Sequence, residues 1–176
     1  MTIDAEARPC IPGDEASLAL VGQATFLETF AGVLDGKDIL AHCAQAHAIG
    51  LYRSWLQDPG YALWIVEASP GNAPIGYMVV APSQLPLPGT TGDLELKRIY
   101  LLGRFQGSGL GKELVATAVA HSAAAGAKRL LLGVYARNAS AIAFYERSGF
   151  SKIGNRKFNV GGEDYDDNIM GMSLNN

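Results

Sequence analysis

Cysteine is scarce. Cys10 and Cys43 are the only two in 176 residues, too few for a disulfide framework. Histidine is almost as rare, and His42, His47 and His121 show no spacing with cysteines or carboxylates that would make a metal site. No metal is expected. Charge of one sign is not in excess. A net charge of −3 gives no electrostatic reason to hold nucleic acid or an anionic membrane. No apolar run approaches the ~20 residues of a membrane span. The opening MTIDAEARPC lacks the basic-then-apolar plan of a signal peptide, so a reduced cytoplasm is the expected compartment. No internal repeat or low-complexity linker divides the chain, and its length fits one domain over residues 1–176.

What the chain does have is a glycine-rich junction in DLELKRIYLLGRFQGSGLGKEL, which starts at Asp93. Leu94, Leu96, Ile99, Tyr100 and Leu101 predict a strand. The chain then turns through Gly103 to Ser108 and enters a helix near Gly109. Helix starts present backbone N–H groups and a positive dipole end, so they hold anions. Glycines 107, 109 and 111 would let a phosphate approach the backbone. The spacing excludes three phosphate loops. A Walker loop needs glycine at 106 and Ser or Thr at 113, where Gln106 and Glu113 stand. A dinucleotide fingerprint or a kinase loop from Gly107 needs glycine at 112, which is Lys112.

The remaining elements follow in order. Ile3 to Cys10 predicts a strand, and Asp14 a helix N-cap. Helices are predicted over about 15–31 and 37–57, the second interrupted near Gly50. Ile39, Cys43, Leu51, Trp55 and Leu56 would form its buried side. Residues 61–67 and 75–81 predict a hairpin joined through Ser69-Pro70-Gly71-Asn72. Pro82 to Gly92 predicts an exposed loop. A helix over 109–125 would bury Leu110, Leu114, Ala118 and Val119. A buried strand in 128–135, a helix opened by Asn138 and ending at Gly149, and strands over 150–160 and 165–174 complete the pattern. Strands and helices alternate only in the middle. The fold class is therefore α/β in the α+β sense: a central mixed, mostly antiparallel twisted sheet of about six to seven strands with helices on both faces.

Gln106-x-x-Gly109-x-Gly111 after a strand resembles the acetyl-CoA loop of the GNAT superfamily of N-acetyltransferases. NASAIAFYERSGF, from Asn138 to Phe150, resembles the second motif of that superfamily at the expected distance. ATFLETFAG, LELKRIYLL and LGVYARNASAIAFY are similar to the PaiA-type polyamine acetyltransferase branch. Lys97 departs from that branch, which often has an acidic or neutral residue there.

The resemblance implies acetyl-CoA as cosubstrate and a small-molecule amine as partner. Ile99, Tyr100 and Leu101 would meet the pantetheine arm. Gln106, Gly107, Ser108, Gly109, Leu110, Gly111 and Lys112 would form the pyrophosphate loop. Asn138 and Ala141 would complete cofactor binding, with Asn138 equally readable as a helix N-cap. Tyr145 lies seven residues beyond Asn138 on the same helical face. It would protonate the leaving thiolate, against the alternative of a core tyrosine. Glu95 is the candidate base, acting through water. Its alternative is an exposed strand carboxylate paired with Lys97 or Arg98.

A primary amine has a pKa of ~10, so a proton must leave before attack. No cysteine nucleophile is required if the site orients both reactants. Phe26, Phe30, Tyr52, Trp55, Tyr135 and the 82–92 loop are candidate acceptor walls. Glu28, Asp35, Asp38, Asp164, Asp166 and Asp167 are candidate attractors of a cationic, polyamine-like amine, each also readable as a solvated surface charge. Acetylation of a peptide or protein amine, or acyl-CoA binding without turnover, are the competing readings. The oligomeric state is left open, with a homodimer among the candidates.

Overall fold

Residues 4–174 are described by a computed structural model. The described residues form seven strands: β1 (Ala5–Pro9), β2 (Ala62–Ala68), β3 (Ala73–Pro82), β4 (Leu94–Leu101), β5 (Arg129–Tyr135), β6 (Ser151–Val160) and β7 (Glu163–Ser173). They form one sheet in the order β1-β2-β3-β4-β5-β7-β6. The helices are α1 (Glu15–Phe30), α2 (Gly36–Ala46), α3 (Ile49–Gln57), α4 (Leu110–Ala124) and α5 (Ala139–Arg147). The β4–β5 pair is parallel, with Leu94 opposite Leu130 and Glu95 opposite Leu131. The β1–β2, β5–β7 and β6–β7 pairs are antiparallel. This is the mixed, mostly antiparallel sheet that the order of elements predicts. Among the described residues no helix is long and apolar enough to cross a membrane.

The chain forms two compact units. One holds the chain up to Val79 with Arg98–Leu114, the other Val80–Lys97 with the chain from Val115 onward.

In the first unit, α1 buries Leu18, Val21 and Phe26. Leu18 and Val21 join a core of Tyr52, Trp55, Leu63, Ile65, Tyr77 and Val79. Burying each such apolar side chain contributes about 1.5–3 kcal/mol. Gly22 lies on this buried side because a side chain there would collide with its neighbours. A Cβ would stand 2.4 Å from His47 Nδ1 and 2.5 Å from the Tyr52 hydroxyl.

The interruption expected near Gly50 falls at His47 and Ala48, with Gly50 inside α3. The buried His47 side chain lies 2.8 Å from the Tyr52 hydroxyl. One local expectation is corrected by the structure. Asp14 stands at the head of α1 but makes no capping bond with its side chain. Its carboxylate instead takes Arg8 at 2.9 and 3.0 Å and the Ile11 N–H at 2.8 Å. Arg8 also meets Glu67, which ties β1 to β2. A bidentate guanidinium outcompetes a local cap for the same oxygens.

In the second unit, β5 buries Leu130, Leu131 and Leu132 in succession, as a strand covered on both faces does. The 82–92 loop is not wholly exposed, as its composition predicts. Leu85 is 4% exposed and packs with Leu131 and Ile169, with Leu87 beside them. Proline and glycine report backbone freedom; they do not report where the two leucines between them find cover.

Candidate functional site

Strand β4 leads through a short 3-10 turn at Gly103–Phe105 into the glycine segment and α4. Glu28 of α1 accepts the Gly103 N–H at 2.8 Å and fixes the start of that turn. This carboxylate, expected to attract an amine, is engaged by the backbone. Gln106 Nε2 reaches back to the Leu101 carbonyl at 3.1 Å, and Ser108 Oγ donates to the Phe105 carbonyl at 2.6 Å. Gln106, Gly107, Ser108 and Gly109 are exposed.

Gly107 and Gly109 have φ of 75° and 92°. Side chains disfavour that conformation, and glycine adopts it freely. Apart from the adjoining residues, no described atom lies within 4 Å of the place where a Cβ would stand at either. The first bond of α4 runs from Glu113 N to Gly109 O at 3.1 Å. Leu110, Gly111 and Lys112 therefore form the first turn, whose N–H groups have no acceptor within the helix. The segment suits a diphosphate: open glycine backbone, a helix start and no acidic side chain from Gln106 to Lys112. Ile99, Tyr100 and Leu101 are half-buried at the end of β4.

Asn138, Ala141, Tyr145 and Glu95 lie in the second unit. Asn138 caps α5, its Oδ1 accepting the Ala141 N–H at 3.1 Å. Tyr145 is half-buried, its ring 5.3 Å from Phe144 and 5.9 Å from Phe150. It is not a core tyrosine; no residue of α5 is buried.

Glu95 departs from its alternative reading. It is 4% exposed and pairs with neither Lys97 nor Arg98. Its Oε2 accepts the Gln84 N–H at 3.0 Å, and Lys97 Nζ donates to Gln84 Oε1 at 3.1 Å. Oε1 of Glu95 has no described hydrogen-bond partner. Nearby Asp93 is also buried and takes Arg129 at 2.6 and 3.0 Å. Gln84, Asp93 and Arg129 carry no motif, and only folding shows that they hold the β4 start and its loop.

Four of the other five expected attractors lie near a partner. Asp166 meets Lys157, Asp167 meets Arg156 at 3.1 Å, Asp164 accepts from Asn159 at 3.0 Å, and Asp35 lies 3.9 Å from Lys37.

Tyr52 and Trp55, expected as acceptor walls, are buried around Arg98. Phe26 is also buried, 4.5 Å from the half-buried Phe30 ring and stacked 4.3 Å from His42. Tyr135 is half-buried, 6.3 Å from the Tyr165 ring. Burial, then the Arg98 charge and His42, push His47 down to about 3. Burial raises the Cys10 thiol to about 12, which leaves it protonated at neutral pH.

The model of the acetyltransferase (GNAT) family matches residues 34–150. An uncharacterized N-acetyltransferase of Mycobacterium tuberculosis is 32% identical over 123 residues, 70% of this chain and 74% of that protein. A mycothiol acetyltransferase of Corynebacterium efficiens is 43% identical over 60 residues, 32% of this chain and 20% of that protein. The crystal structure of a PaiA N-acetyltransferase from Thermoplasma acidophilum in complex with coenzyme A has the same fold. It matches at a TM-score of 0.77 and 19% identity over 97% of this chain and 99% of that one. With two thirds of its length under the family model and a one-third-identical relative across most of it, the chain belongs to the acetyltransferase (GNAT) family and is an acetyl-CoA-dependent acyltransferase.

Proposed function

We propose that the protein moves the acetyl group of acetyl-CoA to the primary amine of a small acceptor by direct attack. The observation that carries this reading is the glycine segment: Gly107 and Gly109 hold left-handed backbone with open space in front of them, directly before the start of α4.

Bound acetyl-CoA supplies an acetyl thioester. The N–H groups from Gly107 to Lys112 hold its pyrophosphate, with Gln106 and Ser108 fixing the turn through the Leu101 and Phe105 carbonyls. The backbone from Ile99 to Leu101 holds the pantetheine arm, and Asn138 and Ala141 its amide. Glu95 is the base. One of its oxygens is held by Gln84 and the other is left to accept, through water, the proton that the amine must lose. Tyr145 donates its hydroxyl proton to the sulfur as the carbon–sulfur bond breaks. The amine nitrogen forms the new bond to the acetyl carbon and sheds its second proton, which returns the Tyr145 phenolate to the phenol, so the products are an amide and the CoA thiol.

The acceptor itself divides into two versions. A polyamine-like acceptor is the version that the PaiA resemblance supports. A small amine without further positive charge is the version that Asp166 and Asp167 support, because their charges already meet Lys157 and Arg156.

Thiol release from acetyl-CoA with a panel of amines tests the reading. Acetylation of at least one small primary amine is expected. Tight acetyl-CoA binding without thiol release for any amine would leave a binding module instead.

A further inference from the structure

Arg98 is a charge in the first unit that has no part in the transfer described above. It is half-buried, yet no described carboxylate pairs with it. Arg8, Arg53, Arg129 and Arg156 each meet a carboxylate within 3.1 Å. Arg98 is held by neutral groups. Nη1 donates to the Ala46 carbonyl at 2.7 Å and the Tyr52 hydroxyl at 2.8 Å, and lies 3.3 Å from His47 Nδ1. The guanidinium carbon stands 4.8 Å from the Trp55 ring centre and 5.6 Å from that of Tyr52.

All the described bonds leave from one nitrogen. Nε and Nη2, the other edge of the fork, have no hydrogen-bond partner among the described residues. Close by, the fully buried Tyr77 hydroxyl lies beside that of Tyr52 but makes no well-aligned hydrogen bond. A buried cation is costly until an anion meets it. The imidazoles give no compensation, since burial and Arg98 itself keep His47 and His42 neutral. The guanidinium plane is already fixed by its Nη1 contacts and ring neighbours, so its other edge is preorganised for two parallel bonds to a carboxylate.

We propose that Arg98 binds a carboxylate carried by the acceptor, so that the amine acetylated here is an amino-acid-like zwitterion. This rests on the acetyltransferase reading above. The anionic groups of CoA have the glycine segment and helix start to meet them, which leaves Arg98 for the acceptor. A polyamine would set a second cation against it.

The test compares matched acceptors: free amino acids against their α-carboxamides, over a panel of small, acidic, basic and aromatic side chains. For acceptors that turn over, the free acid should exceed its amide in kcat/KM by about tenfold to a hundredfold. Arg98→Gln should bring that ratio near one, with acetyl-CoA affinity by calorimetry unchanged. Amides equal to or better than free acids in the wild type overturn the proposal. So does an Arg98→Gln protein that keeps the preference, or one that loses acetyl-CoA affinity and so places Arg98 at the CoA phosphates. If Arg98→Gln fails to fold, Arg98→Lys keeps the charge without the fork and should lose most of the preference. The wild-type comparison also decides on its own. Calorimetry of N-acetyl amino acids against N-acetyl amino amides reads the same preference without turnover. A protein that releases no thiol but binds the acids selectively would lose the transfer reading and keep this one; equal binding of the two would overturn it.

Discussion

Glu95 and Gln84 are joined by a 3.0 Å hydrogen bond from backbone N–H to carboxylate, between β4 and the loop that precedes it. The bond holds one carboxylate oxygen and leaves the other available. Glu95→Gln keeps the shape and removes basicity. Turnover should fall, with partial recovery at high pH as more free amine becomes available. A KM increase at constant turnover would mean that Glu95 only attracts the acceptor. No change in either constant would withdraw it from the site.

Tyr145→Phe removes a hydroxyl while the ring contacts with Phe144 and Phe150 stay. The chemical step should slow by roughly 10²–10⁴-fold, with acetyl-CoA affinity nearly unchanged. Single-turnover rates separate this from product release. A wild-type rate in that experiment would leave Tyr145 as a packing residue.

Gly109→Asp places a negative charge and a strained backbone, at φ of 92°, directly before α4. Acetyl-CoA affinity by calorimetry should fall on the order of tenfold or more, since the added charge opposes a phosphate at a helix start. The exposed position and the open space around it predict that the fold survives. Unchanged affinity in a folded variant would remove the glycine segment from the cofactor site.

His47 makes stability depend on pH. Its folded pKa lies at about 3, below the ordinary 6.5. Between those values the unfolded chain binds the proton and the folded protein does not. Stability is therefore full above pH 6.5 and falls as pH drops toward 3. At about 1.4 kcal/mol per pKa unit, the loss across that window is on the order of 5 kcal/mol. Urea midpoints from pH 7 to 4 should fall steeply in the wild type and less steeply in His47→Gln. Some slope will remain, because His42 is shifted in the same direction. Equal slopes would contradict the assignment.

Gly22→Ala forces a Cβ to within 2.4 Å of His47 Nδ1 and 2.5 Å of the Tyr52 hydroxyl. Urea unfolding should show a loss of about 1–3 kcal/mol from overpacking. Leu20→Ala, at a position 64% exposed, should change stability by no more than about 0.5 kcal/mol. Similar losses for both would mean that the cluster relaxes around a larger residue.

The sequence by itself determined the order and kind of the elements, because those follow from local properties. Apolar runs marked β4 and β5. Asn138 marked the start of α5, since its side chain needs only an N–H three residues on. The glycines at 107 and 109 marked the turn, because their backbone conformation belongs to glycine. Partner choice was not local, and only the tertiary structure decided it. Asp14 reads as a cap until Arg8 arrives from β1, and Glu28 reads as a free acid until Gly103, 75 residues away, donates to it. Glu95 reads as a base or as a surface charge alike until the Gln84 N–H of the 82–92 loop meets it in a buried position. Arg98 reads as one of several basic residues in a strand. Its half-buried, acid-free setting comes from α2 and α3, residues 36–57, folding back over it. Coulomb and desolvation energies depend on distance in space, which spacing along the chain does not record.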